Sequence, residues 1–454
     1  MPGRVVLNTN QRKAVQFGNG PLLIVAGAGT GKTRVITERV RWLIETGRAQ
    51  PSEILALTFT EKVAGEMLER IDQVMPLGYE EPWISTFHSF GDRILRQEAL
   101  EIGLDPTYKI ITQPEQWLLV KQHLFDFDLD YYRPLGNPTK FIGAVLRLFS
   151  RLQDEDVSPA DFVGWAKGTE GRKGGKGAKG TKGTKGTEGT GGEEEARKYL
   201  ELARAYEKYQ NLKIAKSKLD FGDLITWTLG LFRQRPSVLQ KYHQQFKYIL
   251  VDEFQDTNFA QFQLLKMLAP AGESPNLTVC ADDDQSIYKF RGAAVSNVLD
   301  FKKDYPGSAT VVLTKNYRSG QAILDGSYRL IGHNNPDRLE VKLGITKKLA
   351  GTRGKGEAPQ VLAAETAEEE AEQVVTEISR LRAHDPQLTW KDFAILARAN
   401  NHLDPFVAAL KRRQIPYQRI GNRGLFDQPE VRDLIALLKV VANPTDSLAL
   451  YRVL

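Results

Sequence analysis

The segment Ala26-Gly27-Ala28-Gly29-Thr30-Gly31-Lys32-Thr33 sets three alternate glycines before a lysine and a threonine. Glycines let successive backbone N–H groups turn toward one anion, and a helix opening at Thr33 adds positive potential. Lys32 can then reach the outer phosphates of a nucleotide, and the Thr33 hydroxyl can ligate Mg²⁺. The pattern is a P-loop, with Ala26 where the strict form has glycine. A second segment, Tyr248-Ile249-Leu250-Val251-Asp252-Glu253, is an apolar run ending in two carboxylates. In a parallel sheet such a run presents its acids at the C-terminal edge, where ligands bind. Asp252 is expected to hold Mg²⁺, mostly through water, and Glu253 to orient and deprotonate an attacking water. Paired with the P-loop, these acids mark a hydrolase, because small-molecule kinases act on an acceptor that brings its own hydroxyl.

Such groups must be positioned by strands and helices. Leu22 to Val25, Ile54 to Thr58, Trp83 to Thr86, Tyr248 to Val251, Leu277 to Ala281 and Thr310 to Leu313 read as buried strands. Helical periods lie between them, with Ala64, Met67, Leu68 and Ile71 on one face. Alternating βα units whose strands are apolar on both faces imply a parallel sheet covered by helices. The interval from Leu104 to Lys218 breaks the rhythm and reads as a helical insertion. A second α/β rhythm is expected from about Thr310: strands Gln360 to Ala363, Phe393 to Ala397 and Tyr417 to Ile420, and helices Ala367 to Arg382, Leu403 to Arg413 and Glu430 to Val441. Expected domains are therefore 1–104 with 219–305, the insertion 105–218, and 306–454.

With 454 residues, 41% hydrophobic and 26% charged, the chain can bury several cores, which excludes a wholly disordered or collagen-like protein. No apolar run approaches the length of a membrane helix and no signal-peptide core opens the chain, so a cytoplasmic protein without a membrane partner is expected. The single Cys280 has no internal disulfide partner, and the six histidines show no zinc spacing. The net charge of +6 suggests an acidic partner, but residues 167–192 alone carry six Lys and one Arg against two Glu. That stretch has glycine at every third position from Gly168 to Gly192 and no proline, and it reads as a flexible tether. It is either a repeat-expanded surface loop or a basic segment that sweeps over a nearby polyanion.

The acid pair continues as Asp252-Glu253-Phe254-Gln255-Asp256-Thr257-Asn258, followed by Asp282-Asp283-Asp284-Gln285-Ser286-Ile287-Tyr288-Lys289-Phe290-Arg291-Gly292-Ala293 and Asn316-Tyr317-Arg318-Ser319. Upstream lie Leu7 to Gln11, Ala56 to Ala64, Thr86-Phe87-His88-Ser89-Phe90 and Asp220-Phe221-Gly222-Asp223-Leu224. This set, in this order, resembles the superfamily 1 DNA helicases of the UvrD/Rep/PcrA type, over nearly the whole chain except the tether. The resemblance implies a RecA-like ATP-binding domain with a helical insertion, then an incomplete second RecA-like domain. It implies ATP and Mg²⁺ as cofactors and single-stranded DNA, with single-strand/duplex junctions, as substrate for 3′ to 5′ unwinding in repair or replication.

By the same resemblance Gln11 reads adenine, Arg34 and Tyr317 sandwich it, and Gln285 senses the γ-phosphate. Arg318 matches an arginine finger delivered from the second domain, a device worth about 10³ to 10⁵ in rate. Phe59, Tyr288 and Phe290 match single-strand stacking positions, with Phe290 in place of the more usual tryptophan. His88 is either structural or a phosphate-backbone contact, and Asp220 and Asp223 read first as helix-capping acids. Cys280-Ala281 stands where the family has an aliphatic residue and glycine. The family's two last motifs have no match after Arg318, so the chain is expected to be an N-terminal portion of a longer helicase. A nucleotide-dependent single-strand clamp without turnover is the competing reading, and the motor part of a helicase-nuclease a third.

Overall fold

The structure is a computed structural model that describes residues 6–72, 79–170, 191–287, 296–420, 429–444 and 447–453. Most of the tether, and Tyr288 and Phe290, lie outside the described residues. Among the described residues ten strands occur in chain order: β1 (Leu22–Ala26), β2 (Ile54–Thr58), β3 (Trp83–Thr86), β4 (Lys109–Ile110), β5 (Lys218–Leu219), β6 (Tyr248–Val251), β7 (Leu277–Ala281), β8 (Ala309–Leu313), β9 (Lys315–Asn316) and β10 (Ala350–Gly351). Six of them form one parallel sheet in the order β3-β2-β6-β7-β1-β8.

Every residue of β1, β2, β6 and β7 is buried, because helices cover both faces and the pleat sends alternate side chains into two cores. Leu23, Val25, Leu55, Leu57, Ile249 and Val251 enter one core. Leu22, Ile24, Ile54, Ala56, Leu250 and Cys280 enter the other. A one-residue slip in any of these strands would exchange the two sets.

The helices that matter for the site are α1 (Thr9–Val15), α2 (Lys32–Glu45), α3 (Glu61–Asp72), α4 (Phe87–Glu98), α5 (Gln113–Gln122), α6 (Ile142–Asp154), α7 (Pro159–Glu170), α8 (Gly191–Ala215) and α9 (Phe221–Gln234). Helices α5 to α8 gather around a separate core that includes Leu119, Phe149, Phe162, Tyr206 and Tyr209. A buried polar knot fastens this bundle to α9. Lys213, 0% exposed, donates to Asp220 and Asp223 at 2.5 Å each, while Gln153 Nε2 donates to both acids and Tyr209 OH donates to Asp220. Asp220 also caps α9 by accepting the Asp223 N–H at 3.0 Å.

The chain divides into two compact units after Ala358. The expected boundary at 305/306 falls ahead of β8, which pairs residue for residue with β1 and so belongs to the first sheet. In the unit from Pro359 onward the three expected helices occur as Ala367–His384, Asp404–Arg412 and Pro429–Ala442. The strands expected at 360–363, 393–397 and 417–420 do not form, and among the described residues no strand follows Gly351. Strand propensity there meets no neighbouring ladder, which a β-strand requires. Val361 is 93% exposed and Leu396 94% exposed in consequence.

Candidate active site

All the expected catalytic groups among the described residues leave the same C-terminal edge of the sheet. After β1 the chain turns through Gly29 (φ +70°) and Gly31 (φ +87°), a left-handed backbone that favours glycine. A Cβ on Gly29 would lie 2.6 Å from Asn316 Nδ2 and 2.7 Å from the Arg318 Cβ. One on Gly31 would press on Gln11 Nε2 at 3.2 Å. The loop is thus shaped by its neighbours as well as by its own torsions, and α2 starts directly at Lys32.

Lys32 Nζ lies 2.5 Å from Glu253 Oε2, and Thr33 Oγ1 donates to Asp252 Oδ2 at 2.8 Å. Burial works against the Lys32 charge, but the Glu253 carboxylate outweighs it and raises the lysine pKa. Burial, then the neighbouring Glu253 charge, push Asp252 up to about 6. The Asp252 N–H continues the ladder onto Leu57 O at 2.9 Å, which fixes the carboxylate at the sheet edge. Glu253 sits at φ +51°, an uncommon torsion for a non-glycine residue and one that collects at functional sites. A hydroxyl and a carboxylate oxygen side by side under a phosphate loop suit a hard, oxygen-seeking cation such as Mg²⁺.

From Glu253 a hydrogen-bond chain runs across the edge. Gln255 Nε2 donates to Glu253 Oε2 at 2.7 Å, Gln255 Oε1 accepts the Asp282 N–H at 2.9 Å, and Gln285 Nε2 donates to Asp282 Oδ2 at 2.5 Å. Glu253, Gln255 and Gln285 line a cavity of about 480 Å³ with Phe59, Thr60 and Asp256. Phe59 also borders a second cavity of about 270 Å³, shared with Glu61, His88 and Phe221.

Family models match this architecture: residues 7–306 fit the UvrD/REP helicase N-terminal domain and residues 311–454 the UvrD-like helicase C-terminal domain. The chain belongs to the UvrD/REP helicase family. It is 36% identical over 450 residues to a protein named ATP-dependent DNA helicase PcrA from Leuconostoc citreum, covering 98% of this chain and 54% of that protein. PcrA proteins of Staphylococcus aureus strains Mu50 and NCTC 8325 are also 36% identical over 450 residues, covering 99% of this chain and 55% of theirs. The chain spans about half the length of the curated relatives it matches.

Within this UvrD/REP-type fold, Gln11, Tyr317 and Arg318, expected on the nucleotide side, all lie at the glycine loop. Gln11 is 1% exposed and its amide is already engaged, accepting the Asn8 N–H at 3.0 Å and donating to Thr30 O at 2.9 Å. One N–H and one lone pair remain for a base edge. Tyr317 donates its backbone N–H to Gly29 O at 2.9 Å, and its hydroxyl accepts from Asn8 Nδ2 at 2.8 Å. Arg34 and Tyr317 are both exposed, and no contact between them is among those described. Arg318 is likewise exposed, with its Cβ against the P-loop at Gly29. It lies in the same compact unit as the P-loop, reached from β8 and β9, while the C-terminal-domain family model, which begins at residue 311, includes it.

On the far side, His88 meets Phe221 edge-on at 5.9 Å. Burial lowers its pKa against the opposing Glu61 charge, so near neutral pH the ring is uncharged and offers a hydrogen bond rather than a cation. Phe221, 53% exposed, puts an aromatic ring at the cavity with His88 that single-residue reasoning passed over. Asn316 was missed as well. Its Nδ2 donates to Ala28 O at 2.6 Å while its Oδ1 accepts the Arg318 and Ser319 N–H groups at 2.9 and 2.8 Å. The Asn-x-x-Ser spacing is an Asx-turn signal that could have found it. Lys347, Arg338 and Leu349, which also reach the edge, carry no such signal in their neighbourhood.

Proposed function

We propose that this chain carries the ATP-hydrolysing, single-strand-gripping part of a 3′ to 5′ DNA helicase acting at single-strand/duplex junctions in the cytoplasm. The supporting observation is the crossed pairing of Lys32 with Glu253 and Thr33 with Asp252 beneath a glycine loop that the Asn316-Tyr317-Arg318 segment touches. ATP enters with its phosphates on the loop N–H groups, and Lys32 Nζ transfers from Glu253 to a phosphate oxygen. The released Glu253 carboxylate then accepts a proton from the attacking water, which Gln285 and Glu253 orient together. Arg318, seated beside Gly29, offers its guanidinium to the charge that develops on the transferred phosphoryl group. Thr33 and Asp252 would hold Mg²⁺, which would supply charge neutralisation for the phosphates.

DNA binds on the Phe59 side, where the cavity shared with His88 and Phe221 presents aromatic faces that tolerate every base. Tyr288 and Phe290, which lie outside the described residues, are further stacking residues in this reading. Phe59 borders both cavities, so a base stacked on it abuts the Glu253–Gln285 pocket. The Glu253→Gln variant tests the chemistry: turnover falls about 10² to 10⁴-fold with ATP affinity kept. Normal turnover in that variant removes Glu253 from the role, and a parent chain that binds ATP and DNA but never turns over is the clamp rather than the motor.

A further inference from the structure

Asp282, Asp283 and Asp284 place one carboxylate oxygen each within 4.8 Å of one another, a spacing that would suit a cation. The protein supplies that cation itself. Lys347, 65 positions beyond Asp282 and 5% exposed, puts Nζ 2.8 Å from Asp282 Oδ1 and 2.9 Å from Asp284 Oδ2, and also bonds Asp283 Oδ1. Arg338 forks onto Asp284 at 2.8 and 2.7 Å, and the Leu339 N–H donates to Asp283 Oδ2 at 2.7 Å. Asp282 is buried, and its other oxygen holds the Gln285 amide at 2.5 Å, while Asp284 and Gln285 line the cavity that Glu253 shares. Two residues past Lys347, the Leu349 side chain covers Gly27, where a Cβ would lie 2.8 Å from Leu349 Cδ2, and the next residue begins β10, paired to Lys315–Asn316.

We propose that Lys347 is a positioning residue for Gln285: by gripping one oxygen of Asp282 it fixes the other, and through it the amide that faces the γ-phosphate. The inference rests on the nucleotide reading above and adds to it the residue that orients the sensor. Three adjacent carboxylates without this ammonium repel one another, and Asp282 turns away. Gln285 then loses its fixed direction while the P-loop contacts to the inner phosphates stay. The structure therefore ties discrimination between tri- and diphosphate to a lysine outside every recognised motif.

The test measures affinities of the 454-residue chain for Mg²⁺-ADP and for the Mg²⁺ complex of the β,γ-imido analogue of ATP by titration calorimetry. Lys347→Met is expected to lower the preference for the imido analogue about tenfold, the worth of one hydrogen bond to a phosphate oxygen, with ADP affinity changed less than about twofold. Lys347→Arg is expected to keep most of the preference. Because Lys347→Met leaves excess negative charge, Lys347→Met/Asp283→Asn is measured beside it. A folded double variant that still lacks the preference supports the inference. One that regains it shows that the lysine merely offsets charge, and overturns it. An unchanged ratio in Lys347→Met overturns it alone, with the nucleotide reading intact. A parent chain that binds neither nucleotide overturns both.

Discussion

Replacing Lys213 by methionine removes one cation from a site closed to bulk solvent. Lys213 and Asp223 are each 0% exposed, and the ammonium lies 2.5 Å from both Asp220 and Asp223. Breaking a buried pair from one side costs about 3 to 5 kcal/mol, since the remaining charge stays desolvated. In the parent, burial would raise Asp220, but Lys213 outweighs it and holds its pKa low, whereas burial and the neighbouring Asp220 charge push Asp223 up to about 6. Without Lys213 both carboxyls rise above their unfolded value near 4, so the native state takes up protons that the unfolded chain does not. The deficit is then full at about pH 8 and shrinks by roughly 1.4 kcal/mol per pH unit per proton as the pH falls toward 5. Urea unfolding followed by far-ultraviolet circular dichroism at both pH values reads this directly, and Lys213→Met/Asp223→Asn should recover part of the loss. A deficit under about 1 kcal/mol at pH 8, or one identical at pH 5, refutes the buried-ion account of this knot.

Asp154, pushed up to about 6 by burial against an opposing hydrogen bond from Asn258, makes the chain less stable as pH rises from about 4 through 6. Asp154→Asn keeps the Asn258 bond and removes the charge, so it should stabilise by up to about 3 kcal/mol at pH 7.5 and by nothing at pH 4, read from melting temperatures. Gly29→Ala places a methyl 2.6 Å from Asn316 Nδ2 at a left-handed torsion, so the 316–318 segment must leave the P-loop. Calorimetry should then show nucleotide affinity reduced about tenfold or more.

The sheet was legible because each of its strands is a short, largely apolar run, and the four central ones, β1, β2, β6 and β7, are buried on both faces. The P-loop and the Asp252–Glu253 pair could be joined across a sequence separation of 219, from Thr33 to Asp252, because a parallel sheet puts every strand's C-terminal end on one edge. Pairings that depend on side-chain reach were not legible. Lys347 sits in the sequence Thr346-Lys347-Lys348-Leu349, where nothing distinguishes a buried ammonium from a solvated one. The same holds for Lys213, whose partners lie seven and ten residues on, across the turn from α8 to α9. The segments at 360–363, 393–397 and 417–420 failed for the converse reason: their local pattern is strand-like, but a strand exists only beside another. β8, just ahead of Arg318, continues the first sheet by pairing with β1, which its own residues could not indicate.

The central claim is that one triphosphate is held between Lys32 and Arg318. The most direct measurement is a crystal structure of the chain with Mg²⁺, ADP and aluminium fluoride. The account predicts the fluoride group in the place of the transferred phosphoryl, Lys32 Nζ moved from Glu253 onto it, and the Arg318 guanidinium within hydrogen-bonding distance of the same group. ADP bound away from the glycine loop, or Arg318 directed elsewhere while the fluoride site is filled, would contradict it.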